Sequence, residues 1–252
     1  MSERRNWSWE DTLAAFALYF YLPSGQQTKQ NKDVIALADA VGRTPSSVAL
    51  KLGNIKAWDP MRSGKGLEHG SKLDAHVWEE YGEKGDALMR QAVSLLDARL
   101  GGTNAQGDEV SYLLVDVPEG HDKIVEATAR VNQSYFRNSL LENYNHQCCF
   151  TGMAIDTLLM ASHIKPWAAS DSREKVSPDN GLLLNALHDR AFDQGLMTID
   201  ERMRIRVSST VPRDGSYNDW LWSFDKREMR LPTRMRPRRD FVEYHNDVIF
   251  KG

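Results

Sequence analysis

Three side chains in the second half of the chain have types and order that can support catalysis. His163 lies near the end of a β-prone run, Leu158 to Ile164. Asn180, followed by Gly181, closes a polar loop from Lys165 to Asp179, and His188 falls in a segment, Leu182 to Phe192, whose apolar spacing reads as a helix. An imidazole can take up a proton near neutral pH or ligate a divalent cation. A neutral amide can hold a loop or an imidazole in register without adding charge. Each residue also has a plain structural reading. A histidine at a strand end can be a surface or core residue, Asn-Gly can be a turn that caps a helix, and His188 can lie on a helix surface. Upstream, Cys148-Cys149-Phe150 reads as short and β-prone, and Thr151-Gly152 turns the chain. The order is strand, strand, loop, helix.

Other titratable groups are weaker candidates. His146 and His245 read as structural. Cys148 and Cys149 are adjacent, which disfavours a disulfide between them and fits a reducing cytoplasm. With no second pair they cannot complete a four-ligand zinc site, and Cys148 is expected to pack beneath the hairpin.

The surrounding residues carry a resemblance. Arg130, Gln133, Phe136, Arg137, Leu140, Leu141, Tyr144, Cys148 and Thr151-Gly152 resemble the HNH nuclease family, and Ser162-His163-Ile164 with Pro166-Trp167 resembles its first signature. Asn180-Gly181, Leu184, His188 and Phe192-Asp193 resemble the remainder. Leu231-Pro232 and Tyr244-His245 through Phe250 resemble the tail of a subgroup found in bacterial restriction-type proteins. The likeness covers residues 123–252 and implies a ββα-metal fold and hydrolysis of DNA phosphodiester bonds. It also implies a setting in restriction or phage defence, with modified DNA as one candidate substrate.

The family's mechanism assigns His163 as general base, Asn180 as orienter and His188 as ligand of one divalent cation. Cleavage by analogy leaves a 5′ phosphate. Many members place an acid or a second histidine immediately before the base, as a metal ligand, whereas this chain has Ser162, a poor ligand. Asp193, Asn185 and Asp156 are the candidates for the missing ligand, with Asp193 preferred. Mg²⁺ is the expected ion, with Mn²⁺ and Zn²⁺ as alternatives.

The elements that must position these groups divide the 252 residues into two domains. Residues 1–100 read as helical. Trp9, Leu13, Phe16, Ala17 and Phe20 form one apolar stripe, with Ser8 as cap. A second helix buries Val34, Ile35, Leu37, Ala38 and Val41 and stops at Gly42. Thr44-Pro45 starts a third, with Val48, Leu52 and Ile55 inward. Ser46, Ser47, Lys51 and Asn54 then face outward. Two short helices joined through a Gly turn have helix-turn-helix form, so Ser46, Ser47 and Lys51 are candidate DNA contacts. The stretch also loosely resembles Myb/SANT three-helix modules. Leu73–Tyr81 and Asp86–Leu100 are further helices. Residues 101–122 read as a linker, with a short strand candidate at Tyr112–Val117, and Ser63–Gly66 as a flexible loop without P-loop spacing. The expected class is α+β: a helical domain at 1–100 followed by a nuclease domain at 123–252.

Charge supports the partition better than the whole-chain net of −3 does. Residues 1–100 carry 13 Lys/Arg and 13 Asp/Glu, residues 101–200 carry 7 and 14, and residues 201–252 carry 12 and 8. The acidic middle contains the expected metal site. The basic tail includes Arg234, Arg236, Arg238 and Arg239, candidate phosphate contacts. No apolar run approaches the ~20 residues of a membrane span, and no secretion signal is evident, so a cytoplasmic protein is expected. A two-fold dimer is one expectation, because one-site nucleases that cut both strands commonly use two protomers. Two other functions fit the residues: a DNA-binding regulator with a degenerate nuclease half, and a nuclease for RNA or structured DNA whose front half binds a protein.

Overall fold

The computed structural model describes residues 6–61, 71–100 and 122–252. The linker expected at 101–122 and the strand candidate within it, and the Ser63–Gly66 loop, lie almost wholly outside the described residues. The chain divides into two compact units, Met1–Tyr135 and Phe136–Gly252, and the architecture is mixed α+β. Among the described residues no helix is long and apolar enough to cross a membrane.

The first unit is helical: α1 (Trp9–Tyr21), α2 (Lys32–Ala40), α3 (Pro45–Ala57), α4 (Lys72–Lys84), α5 (Asp86–Leu100) and the start of α6 (Lys123–Asn143). Ser8 caps α1 by accepting from the Asp11 amide at 3.0 Å, and Thr44 caps α3 by accepting from the Ser47 amide at 3.2 Å. Gly42 takes a φ of +65°, the left-handed conformation that ends α2. The sequence stripe on α1 understates its burial, because every residue from Asp11 to Phe20 is buried. Helices α3, α4 and α5 all pack on α1, so it is central rather than amphipathic.

One expected surface residue is interior. Lys51 is only 2% exposed, and its Nζ lies 2.5 Å from Asp74 Oδ1, itself fully buried. The ring of Trp7 sits 4.9 Å from the same ammonium. Lys51 therefore does not contact DNA in this fold. The periodicity of α3 shows which of its positions suit a core, but not that α4 brings a carboxylate against the polar face. The other lysine of α3, Lys56, donates to Ser24 Oγ. Ser46 is exposed and Ser47 half-buried on the same helix, beside Leu50, which is 55% exposed.

The second unit holds the candidate catalytic residues. Strands β1 (Leu159–His163) and β2 (Gly181–Asn185) pair antiparallel, with His163 opposite Gly181. Helix α7 (Ala186–Asp193) leaves β2 directly, capped by Asn185, whose Oδ1 accepts from the His188 amide at 3.0 Å. The ββα order thus differs in detail from the sequence expectation. Cys148–Phe150 forms a turn rather than a strand, and the helix expected from Leu182 begins four residues later. Leu182-Leu183-Leu184 is apolar on every side and suits a buried strand or a buried helix equally. Pairing with β1 decides it.

A second hairpin, β3 (Met197–Ile199) with β4 (Ile205–Val207), follows. The short helices α8 (Asp219–Trp222) and α9 (Arg239–Tyr244) and a π-helical turn, His245–Ile249, complete the unit. Its core joins Phe136, Leu140, both free cysteines, Leu182 to Leu184, Phe192 and Phe241. Gly181 is required by this packing: a Cβ there would lie 2.7 Å from both Phe136 and Leu140 side chains.

Candidate active site

His163 ends β1 with its ring stacked on Phe136 at 3.8 Å between centroids, and Trp167 meets it edge-on at 5.5 Å. Its Nε2 lies 2.9 Å from the carbonyl oxygen of Lys175. A carbonyl only accepts, so Nε2 carries the proton and the neutral ring keeps its lone pair on Nδ1. Burial lowers the imidazole pKa below the ordinary histidine value, and the Lys175 carbonyl opposes that shift. The ring is accordingly a neutral base near pH 7.

Asn180 is fully buried at the far end of the loop between the strands. Its Oδ1 accepts from the Lys165 amide at 2.8 Å. Its Nδ2 faces the Lys165 carbonyl at 3.2 Å, the Ser170 hydroxyl at 3.2 Å and the Glu174 carbonyl at 3.1 Å. The side chain thus holds the loop rather than touching the imidazole. It acts on His163 through the loop, since Glu174 directly precedes the Lys175 carbonyl.

Beside His163 opens a cleft of about 510 Å³, lined also by Ser162, Trp167, Asp189, Arg190, Asp193 and His245. Asp189 and Asp193 are one turn apart on α7 and face the same way. Burial raises the pKa of both. The Asp189 charge raises Asp193 further, while Ser162 and Arg190 pull Asp189 back and Arg190 does the same for Asp193. Two neighbouring carboxylates, both disfavoured as anions by burial, suit a hard divalent cation, which offsets that cost. The donor chemistry therefore fits Mg²⁺ or Mn²⁺ better than Zn²⁺. Among the described residues no group of three His, Cys, Asp or Glu converges as a metal site; the possible ligands that line the cleft are His163, Asp189, Asp193 and His245.

His188 is not one of them. It is 3% exposed and enclosed by Phe150, Trp220 and Phe224, with ring centroids 5.8, 5.5 and 5.1 Å away. Its Nδ1 lies 3.0 Å from Asn185 Oδ1, while Nε2 is buried with no well-formed hydrogen bond. Burial lowers its pKa. Helix phase sets His188 apart from the cleft lining. Position 188 lies roughly 100° around α7 from position 189, on the side facing the aromatic cluster rather than the cleft. Asp189, the residue missed, could have been found from its i, i+4 relation to Asp193. The other ligand candidates are elsewhere: Asn185 caps α7, and Asp156 pairs with His146 at 2.8 Å.

The four candidate arginines of the tail separate into two kinds. Arg238 makes a two-pronged contact with Asp240 at 2.6 and 2.8 Å, and Arg239 pairs with Glu243 at 2.7 Å. Arg234 and Arg236 are exposed, and their side chains have no partner among the described residues. His245, lining the cleft, stacks on Phe192 at 3.8 Å, and its Nδ1 is 2.9 Å from the Thr198 hydroxyl. Burial depresses its pKa to about 4.

No curated protein matches the chain. A family model described as HNH endonuclease matches residues 148–200, the stretch that supplies His163, the bracing loop, Asn180 and both cleft carboxylates. Over residues 148–200 the chain is therefore similar to the HNH endonuclease family.

Proposed function

We propose that the chain is a metal-dependent DNA endonuclease in which His163 is the general base. The observation that carries this reading is the tautomer fixed by the Lys175 carbonyl, which leaves Nδ1 as the proton acceptor beside the cleft. His163 Nδ1 takes a proton from water as the water oxygen forms its bond to phosphorus. The bond from phosphorus to the 3′ oxygen breaks, leaving a 5′ phosphate and a 3′ hydroxyl once that oxygen gains a proton. Asp189 and Asp193 would hold a divalent cation, which would supply charge stabilisation to the transition state. Asn180 keeps the loop, and through it the imidazole, in place. Trp167 and Phe136 restrict the ring to one plane.

Arg234 and Arg236 are the phosphate contacts this reading uses, because Arg238 and Arg239 already have carboxylate partners. For the biological setting we favour restriction or phage defence. Matched duplexes differing only in cytosine modification, alongside the same sequence as RNA, test both substrate and setting in Mg²⁺ and Mn²⁺. Selective cutting of one DNA form supports the restriction reading. Equal cutting of all DNA forms removes it, and a preference for RNA replaces DNA as the substrate.

A second reading of the front unit is favoured by α3, whose two lysines are both engaged while Leu50 is exposed. On that reading α3 faces a protein rather than a phosphate backbone. Ser46→Glu with Ser47→Glu separates the two: DNA affinity falls if α3 lies on DNA and is unchanged if it does not.

A further inference from the structure

Two clamps close the loop between β1 and β2, and both act on Lys165 and Glu174. The first is Asn180, which binds the backbone of both residues. The second is made by their side chains. Lys165 Nζ lies 2.6 Å from Glu174 Oε2, with the two side chains 21% and 16% exposed. The same carboxylate oxygen accepts from the Asp171 amide at 3.0 Å, and Asp171 Oδ1 accepts from the Glu174 amide at 2.9 Å. This reciprocal pair fixes the turn at both ends, as a capping box fixes a helix start. Arg238 approaches Glu174 Oε1 at 3.7 Å, and its own amide donates to the Asp179 carbonyl at 3.0 Å.

The consequence lies one peptide further on. The Glu174 carbonyl is held by Asn180, and the next carbonyl, of Lys175, receives the proton of His163 Nε2. Rotation of the 174–175 backbone breaks the contact that fixes the imidazole's tautomer. We propose that Glu174 is a positioning residue for His163, holding the Lys175 carbonyl where it keeps Nδ1 free to accept a proton. The proposal rests on the nuclease reading of the cleft. An exposed ion pair contributes little to stability. This one is mostly buried, shares its acceptor with a backbone amide and adjoins the catalytic hydrogen bond, so its effect is on geometry.

The test uses the full chain and its Glu174→Ala, Glu174→Gln and Lys165→Met variants. Two quantities are read: steady-state cleavage of a DNA duplex, and the His163 Nε2–H proton in spectra of protein labelled with ¹⁵N-histidine. Glu174→Ala is expected to lower kcat about tenfold or more with KM unchanged, since a displacement near 1 Å costs up to about 10² in rate. Its Nε2 proton should be lost to exchange with water. Lys165→Met should move both in the same direction, and Glu174→Gln, which keeps the acceptor oxygen, should restore most of both.

Wild-type kcat with an intact Nε2 proton in Glu174→Ala overturns the proposal. So does loss of the proton without loss of rate. If Glu174→Ala does not fold, Lys165→Met decides by the same two outcomes. If the wild type cleaves nothing but the variant still loses the proton, the geometric role stands and the nuclease reading fails.

Discussion

Replacing Asn180 is the most demanding perturbation of the site, because one buried side chain holds both ends of the catalytic loop. Asn180→Ala removes the bond from Lys165 N at 2.8 Å and leaves Lys165 O, Ser170 Oγ and Glu174 O without their shared donor. The amide nitrogen has only two protons, so its three acceptors count as about two bonds. At about 1 kcal/mol each, three lost bonds cost about 3 kcal/mol, and more where a buried group stays unpaired. That is a large share of a typical stability of about 5–15 kcal/mol. Asn180→Asp keeps the shape but turns a carboxylate oxygen toward two carbonyls. Burial and that repulsion raise its folded-state pKa above the unfolded value, so the variant should regain stability as pH falls through the folded pKa toward the unfolded one. Asn180→Ala should not. Urea unfolding at pH 5 and pH 7.5 reads the difference, and cleavage by the folded fraction should fall about 10²-fold as the loop loosens. The reasoning is refuted if Asn180→Ala stays within about 1 kcal/mol of wild type and keeps its rate.

Five further outcomes follow from named groups. Asp189→Asn and Asp193→Asn should each weaken Mn²⁺ binding, measured by calorimetry, whereas His188→Phe should leave it unchanged; a reversed result restores His188 as the ligand. Wild-type Mn²⁺ affinity should also fall with pH earlier than for ordinary carboxylates, because both aspartate pKa values are raised. His245 has a folded-state pKa of about 4. Between that value and the ~6.5 of an unfolded histidine, only the unfolded chain takes the proton. Stability is therefore complete above about pH 6.5 and declines by about 3 kcal/mol as pH falls through the folded value. His245→Phe should flatten that decline in chemical unfolding. Arg234→Ala with Arg236→Ala should reduce the slope of log affinity for DNA against log salt by about 2, and Arg238→Ala should change it little. Lys51→Met should cost about 3–5 kcal/mol in urea unfolding by leaving the buried Asp74 carboxylate without its ammonium partner.

Local chemistry made part of the site legible. His163 and Asn180 sit in spaced motifs, and Ser8 and Thr44-Pro45 are cap signals read from neighbouring residues alone. Helix phase was not legible in the same way. His188 and Asp189 are adjacent, and on α7 one residue is a rotation out of the cleft. It follows from where the helix begins, which depends on Leu182–Leu184 pairing with β1. Lys51, Arg238 and Arg239 show a second limit. Each looks like a free cation in sequence, yet Asp74 reaches Lys51 from 23 residues away, while Arg238 and Arg239 pair with near neighbours, Asp240 and Glu243. The Lys175 carbonyl had no sequence signal, because any residue supplies one.

The most direct test of the central claim is the nicking of supercoiled plasmid by wild type and His163→Ala, in Mg²⁺ or Mn²⁺ and again with EDTA. The account predicts cation-dependent nicking by wild type that drops by about 10²–10⁴ in His163→Ala and stops with EDTA. Equal rates from the two proteins, or nicking that survives EDTA, contradict it.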